Sequence, residues 1–253
     1  MEECYMCKSL STSKEHVPPK CLFPEGKEFG EDFRKNLITV PSCDQHNSAK
    51  SSDDEFLMIS LAGIIGNNSI GFRHKFSKVN RAIRRNSKIL LEEVFVGEKK
   101  IFAIECRNNS FIDCIWGTPN YERLSRCFDR IVRGIYLHHF GEKFFGETRV
   151  VLGYLSIKEP SARNFYHFIR DKSEIELRDK QNHGNNPDVF YYQISDRDQF
   201  GISLVRFCFY GGINIYASLK PDGTQLPMNL AVELMNKGIK TIFYLGDKKY
   251  EIN

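Results

Sequence analysis

The 253-residue sequence contains no run of about 20 apolar residues, so no part of it reads as a membrane span. Its longest apolar stretch, Phe56 to Gly66, is interrupted by Ser60. The opening MEECYMCKSL has no basic segment leading into an apolar one; neither a secretory signal nor a transit peptide is read, and a cytoplasmic protein is expected. No repeat of solenoid or propeller period is present. Low complexity and disorder are excluded by an ordinary 41% hydrophobic and 27% charged content. What is abundant is aromatic: 20 Phe and 11 Tyr promise a large, ring-rich core.

Acidic residues are missing altogether from residues 61–90, which carry seven basic ones: Arg73, Lys75, Lys78, Arg81, Arg84, Arg85 and Lys88. Residues 1–60 hold seven basic groups against 11 acidic, a net −4. The positive charge of a chain whose total is only +4 is therefore concentrated in one segment, the first candidate for contact with a polyanion. Within it, KFSKVNRAIRRNSK places Phe76, Val79 and Ile83 at helical spacing, with Lys78, Arg81, Arg85 and Lys88 on the opposite face.

The first 43 residues are broken by Pro18, Pro19, Pro24, Gly26, Gly30 and Pro41, a pattern that suits a small metal-held unit. A helix is expected from Asp44 into the apolar stretch, with Lys50, Ser51 and Ser52 on its outer side and Asp53 and Asp54 as charges on its surface. From residue 89 the pattern turns strand-like, in pieces that read as an antiparallel meander broken at Gly97-Glu98 and Asn108-Asn109. A helix over YERLSRCFDRIVRGIYLHHFG follows, capped by Thr118 or Asn120 and stopped by Gly141. His138 and His139 on it read as core or surface histidines. Beyond it come a strand near Arg149, a short helix after Pro160, a polar loop around HGNNPD, three strands, a helix near 226–238 and a last strand. The expected organisation is residues 1–60 as the metal unit, 61–90 as a basic helical connector, and 91–253 as a larger α+β domain on a mostly antiparallel sheet.

Eight cysteines in a reducing compartment mean metal where they cluster with histidine and core where they scatter. Cys4-x2-Cys7 and Cys43-x2-His46 have the spacing of two knuckles closing a tetrahedral zinc site, with 35 residues inserted between them. Cys106, Cys114, Cys127 and Cys208 sit in apolar segments and read as buried thiols. Cys21 competes with His46 for the fourth ligand place.

Inside the insertion lie Glu15-His16 in EHVPPK and Asn36-Leu37 in NLITVPSC, followed by Cys43-x2-His46-Asn47 and the later DDEF. In that order between zinc knuckles, these residues resemble the HNH endonucleases of the ββα-metal class, and the motifs are similar to those of free-standing bacterial HNH proteins. The resemblance spans residues 4–57 and implies a zinc-stabilised ββα-metal unit that hydrolyses DNA. It implies that Glu15 and Asn47 hold one divalent ion, with Asp54 a third candidate ligand, and that Asn36 orients His16 or pins its loop. His16 is the fitting general base, since its ordinary pKa lies near working pH and it can activate water directly. Carboxylate and amide oxygens favour hard ions, so Mg²⁺ or Mn²⁺ is expected at the catalytic site and Zn²⁺ at the structural one. Two residues depart from the family pattern: Glu15 stands where Asp is more usual, and His46 where Cys is.

A unit of net −4 needs an added cation surface to hold a duplex, because affinity for DNA comes mainly from phosphate contacts. The face of Lys78, Arg81, Arg85 and Lys88 would supply it, with Lys50 a further phosphate contact. Double-stranded DNA is the expected partner, without membrane association. The C-terminal domain would serve recognition, homo-oligomerisation or binding of a regulatory protein, and defence against phage is a plausible setting. Two alternatives stand beside this: a zinc-containing nucleic-acid-binding module without hydrolysis, and an RNA-directed or nicking nuclease.

Overall fold

In the computed structural model, which describes residues 2–48, 51–79, 92–106, 110–225 and 227–253, the turn-rich N-terminus folds around a short antiparallel pair. The pair comprises β1 (Ser13–His16) and β2 (Thr39–Ser42), with Glu15 opposite Val40 and His16 opposite Thr39. Between the strands run a 3-10 turn (Lys20–Leu22) and the four-residue α1 (Gly26–Phe29), which ends on Gly30 in the left-handed conformation at φ 75°. Helix α2 (Asp44–Ser48) leaves β2 directly, and α3 (Ser51–Ala62) follows. Apolar residues surround α3 on most sides: Phe56, Leu57, Met58, Ile59, Leu61 and Ala62 are all buried. Such a helix belongs inside a core rather than on its surface.

A helix precedes the basic segment and runs into its first residues, while the rest of the helix expected there lies outside the described residues. Asn68 caps α4 (Ser69–His74), its side-chain oxygen accepting from the Ile70 and Gly71 N–H groups at 3.1 Å, and the helix continues as a π turn over Lys75–Val79. Lys50, Arg81, Arg85 and Lys88, together with the Lys78 side chain, lie outside the described residues.

The expected meander is a two-stranded ribbon instead: β3 (Phe95–Cys106) pairs antiparallel with β4 (Ser110–Pro119). Gly97-Glu98, read as a turn, is absorbed into β3 as an irregularity between Val96 and Lys99, because Gly97 takes φ 82° without a steric penalty. Cys114, on this ribbon, is half-buried rather than buried.

Helix α5 (Tyr121–Phe140) is the spine of the molecule. Asn120, not Thr118, caps it by accepting from the Arg123 N–H, and Gly141 ends it. Its apolar side, Leu124, Cys127, Phe128, Ile131, Val132, Ile135 and Tyr136, is buried against a five-stranded antiparallel sheet of order β5-β9-β8-β7-β6. The strands are β5 (Gly146–Leu152), β6 (His183–Asn186), β7 (Phe190–Ile194), β8 (Ser203–Phe209) and β9 (Ile213–Pro221). HGNNPD, read as a turn, supplies β6. Helix α6 (Pro160–Glu176), far from short, covers the other sheet face with Phe168 and Ile169 against Val151 and Tyr216. Helix α7 (Met228–Asn236) and a hairpin of β10 (Thr241–Leu245) and β11 (Lys248–Ile252) close the chain. One apolar cluster runs from Cys4 through α3 and α5 to Leu219, so residues before 60 and after 120 share a core.

At Gly134, α5 packs tightly on Val17, the residue after β1: a Cβ there would lie 2.8 and 2.9 Å from the two Val17 methyls. Gly→Ala inside a helix ordinarily stabilises by about 1 kcal/mol, but the added methyl here overpacks a buried contact at a cost of about 1–3 kcal/mol. Gly134→Ala is therefore expected to lower the urea midpoint. A raised midpoint would mean that Val17 moves aside freely.

Candidate metal centre

Two tight turns present the four ligands. In the first, the Cys7 N–H reaches the Cys4 carbonyl at 3.3 Å; in the second, the N–H groups of His46 and Asn47 reach the Cys43 carbonyl at 3.1 and 3.0 Å, which also starts α2. The pairing of β1 with β2, extended by the Tyr5 N–H on the Pro41 carbonyl at 2.9 Å, brings the turns face to face. The ligand atoms of Cys4, Cys7, Cys43 and His46 all lie within 4.8 Å of one another.

The separations test the fit. A tetrahedral zinc with bonds of about 2.3 Å to sulfur and 2.0–2.1 Å to nitrogen requires about 3.8 Å between sulfurs and about 3.6 Å from sulfur to nitrogen. Cys7 and Cys43 sulfurs are 3.9 Å apart, and His46 Nδ1 stands 3.5, 3.7 and 3.2 Å from the sulfurs of Cys4, Cys7 and Cys43. Three thiolates and one imidazole at these distances can hold a structural zinc. Cys21 takes no part: its thiol donates to the Asp54 carbonyl at 3.1 Å. Lys143, just past the end of α5, ties the first turn to that helix by donating to the Cys7 carbonyl at 3.0 Å and pairing with Glu3.

The other residues singled out in the sequence lie in unequal surroundings. Glu15 is 4% exposed, and its Oε1 accepts from the Tyr5 hydroxyl at 3.0 Å. Burial first, then the Glu15 carboxylate, push the Tyr5 hydroxyl well above its ordinary pKa, so it remains a donor. Asn47, exposed on α2, donates its amide to Ser13 Oγ at 2.9 Å. Ser13 and Glu15 are two apart on β1 and share a strand face, so the structure brings Asn47 and Glu15 to the same side. His16, next along the strand, turns to the opposite face and is half-buried beside exposed Thr39.

Asn36 takes φ 49°, and its carbonyl accepts from the Asn185 amide at 2.8 Å, while Asn186 donates to the Lys35 carbonyl at 3.0 Å. The Asn36 turn is thus clamped by β6, beside a shallow cleft that also borders Val17, Pro18 and Phe190.

Asp54 lines a second shallow cleft with Pro19, Asp53, Leu57, Cys127 and Arg130. Asp53, expected as a surface charge, bridges Arg123 and Arg130 at 2.8 Å each with 13% of its side chain exposed. Arg123 also pairs with Glu93 at 2.9 Å and lies over the Phe56 ring. These arginines come from α5, some 70 residues on in the chain, and no local pattern in the sequence signals the pairing. Burial pushes the Cys127 thiol up to about 12, which makes it an inert core residue.

Compared with protein-family models, with curated proteins and with solved structures, the chain matches none. Among the described residues, no helix is long and apolar enough to cross a membrane.

Proposed function

We propose that this protein is a metal-dependent HNH-type endonuclease that hydrolyses phosphodiester bonds of double-stranded DNA. The observation that carries the reading is that one four-ligand centre frames an antiparallel pair and a following helix, and these elements bear Glu15, His16 and Asn47. In this reading Glu15 and Asn47 hold a Mg²⁺ or Mn²⁺ ion through oxygen atoms; donation by Asn47 to Ser13 leaves its amide oxygen available. The ion supplies positive charge for the transition state and the departing oxygen. His16, across β1 from Glu15, would take the proton of an attacking water that approaches from the strand's end, and Asn36 would hold the loop against β6. A binding module without hydrolysis has no use for a general base beside an acidic ligand, so the intact set favours the enzyme. The basic face of Lys78, Arg81, Arg85 and Lys88, with Lys50, remains the proposed phosphate-contacting surface, and the C-terminal region the proposed place for recognition, self-association or control.

Supercoiled plasmid incubated with purified protein is expected to relax or linearise with Mg²⁺ or Mn²⁺ and to remain intact with EDTA. Binding of the plasmid without cleavage at any of these ions would replace the enzyme by the binding module.

A further inference from the structure

The first knuckle encloses a side chain that neither the zinc site nor the proposed reaction uses. Tyr5 stands between the ligands Cys4 and Cys7, is 2% exposed, and is held at three points. Its neighbour Cys4 belongs to the four-ligand cluster, its N–H donates to Pro41 in β2 at 2.9 Å, and its hydroxyl donates to Glu15 Oε1 at 3.0 Å. Glu15 has one more rotatable bond than aspartate would, so an unrestrained carboxylate would spread its oxygens over several rotamers and lose that freedom on holding an ion. A hydroxyl fixed to a rigid knuckle removes the freedom beforehand, as outer partners of metal ligands do.

We propose that Tyr5 is a positioning residue for the catalytic ion: the zinc knuckle fixes Tyr5, and Tyr5 fixes the Glu15 carboxylate. The inference rests on the reading of Glu15 as an ion ligand. It makes the structural zinc more than a staple, because the order of the knuckle passes through one hydrogen bond to the catalytic ion.

The test measures Mn²⁺ binding to the zinc-loaded full chain by electron paramagnetic resonance of free Mn²⁺, alongside plasmid cleavage. Tyr5→Phe is expected to retain its zinc and to bind Mn²⁺ about 10–100-fold more weakly, with cleavage recovering at saturating Mn²⁺. Glu15→Asp separates the pair without touching the knuckle, since the shorter carboxylate withdraws from the hydroxyl. In that background Tyr5→Phe is expected to add no further loss of affinity. Wild-type Mn²⁺ affinity in Tyr5→Phe, or an equal penalty in both backgrounds, would overturn the positioning role and leave Tyr5 a packing residue. Glu15→Gln tests the underlying reading separately: wild-type Mn²⁺ affinity in that variant removes Glu15 from the ion, and the Tyr5 role with it.

Discussion

His16→Ala is expected to reduce plasmid cleavage by about 10²–10⁴-fold, the usual contribution of a positioned general base, while leaving zinc content and the melting temperature unchanged. His16 lies outside the Cys4, Cys7, Cys43 and His46 cluster and is only half-buried at the end of β1, so its imidazole can be removed without opening the core. DNA binding should survive, because affinity rests on phosphate contacts elsewhere. Asn47→Ala should also lose cleavage, but by weakening the hold on the ion, so raising Mg²⁺ or Mn²⁺ should restore part of it. The same addition should not rescue His16→Ala. Cleavage by His16→Ala at the wild-type rate would reject the HNH mechanism and leave the binding module as the better account.

Cys43→Ser is expected to abolish stoichiometric zinc and unfold the N-terminal segment. Cys43 is 6% exposed, its sulfur lies 3.2 Å from His46 Nδ1, and its carbonyl starts α2, so it serves both the centre and the helix behind it. Structural zinc in small modules is worth about 10–16 kcal/mol of apparent binding energy, comparable with the roughly 5–15 kcal/mol that separates a folded domain from its unfolded state. A hydroxyl in place of a thiolate is a poor zinc ligand. Elemental analysis should give about one zinc per chain for the wild type and far less for Cys43→Ser, with loss of near-ultraviolet dichroism. Cys127→Ser, which alters a buried thiol in α5 away from the centre, should keep its zinc. A wild-type protein that holds no zinc after dialysis yet remains folded would overturn the assignment of these four ligands.

The two predictions differ in how far the sequence alone supports them. Short ligand spacing fixes local geometry: two residues between Cys4 and Cys7, and two between Cys43 and His46, confine each pair to one tight turn whatever the rest of the chain does. Those residues were legible as a metal set, and the structure closes them to within 4.8 Å. Helix α5 was legible for a similar reason, since its 3.6-residue apolar period, its Asn120 cap and its Gly141 stop all lie within the segment itself. The ribbon was misread because Gly97 permits a turn and a bulge equally, and the choice depends on the partner strand β4.

What the sequence determined about this protein is therefore local: the four metal ligands, the long amphipathic helix, and four of the five strands of the antiparallel sheet, β5, β7, β8 and β9. Tertiary structure decided which distant groups meet. Asp53 became a half-buried bridge between Arg123 and Arg130 because α5 packs across α3, and the Asn36 turn was clamped because β6 forms the near edge of the five-stranded sheet. Tyr5 came to hold Glu15 because β2 carries the knuckle beside β1. The physical reason is common to all three. Periodicity and ligand spacing act over a few residues, whereas the desolvation that selects a partner for a buried charge or hydroxyl depends on every element packed around it.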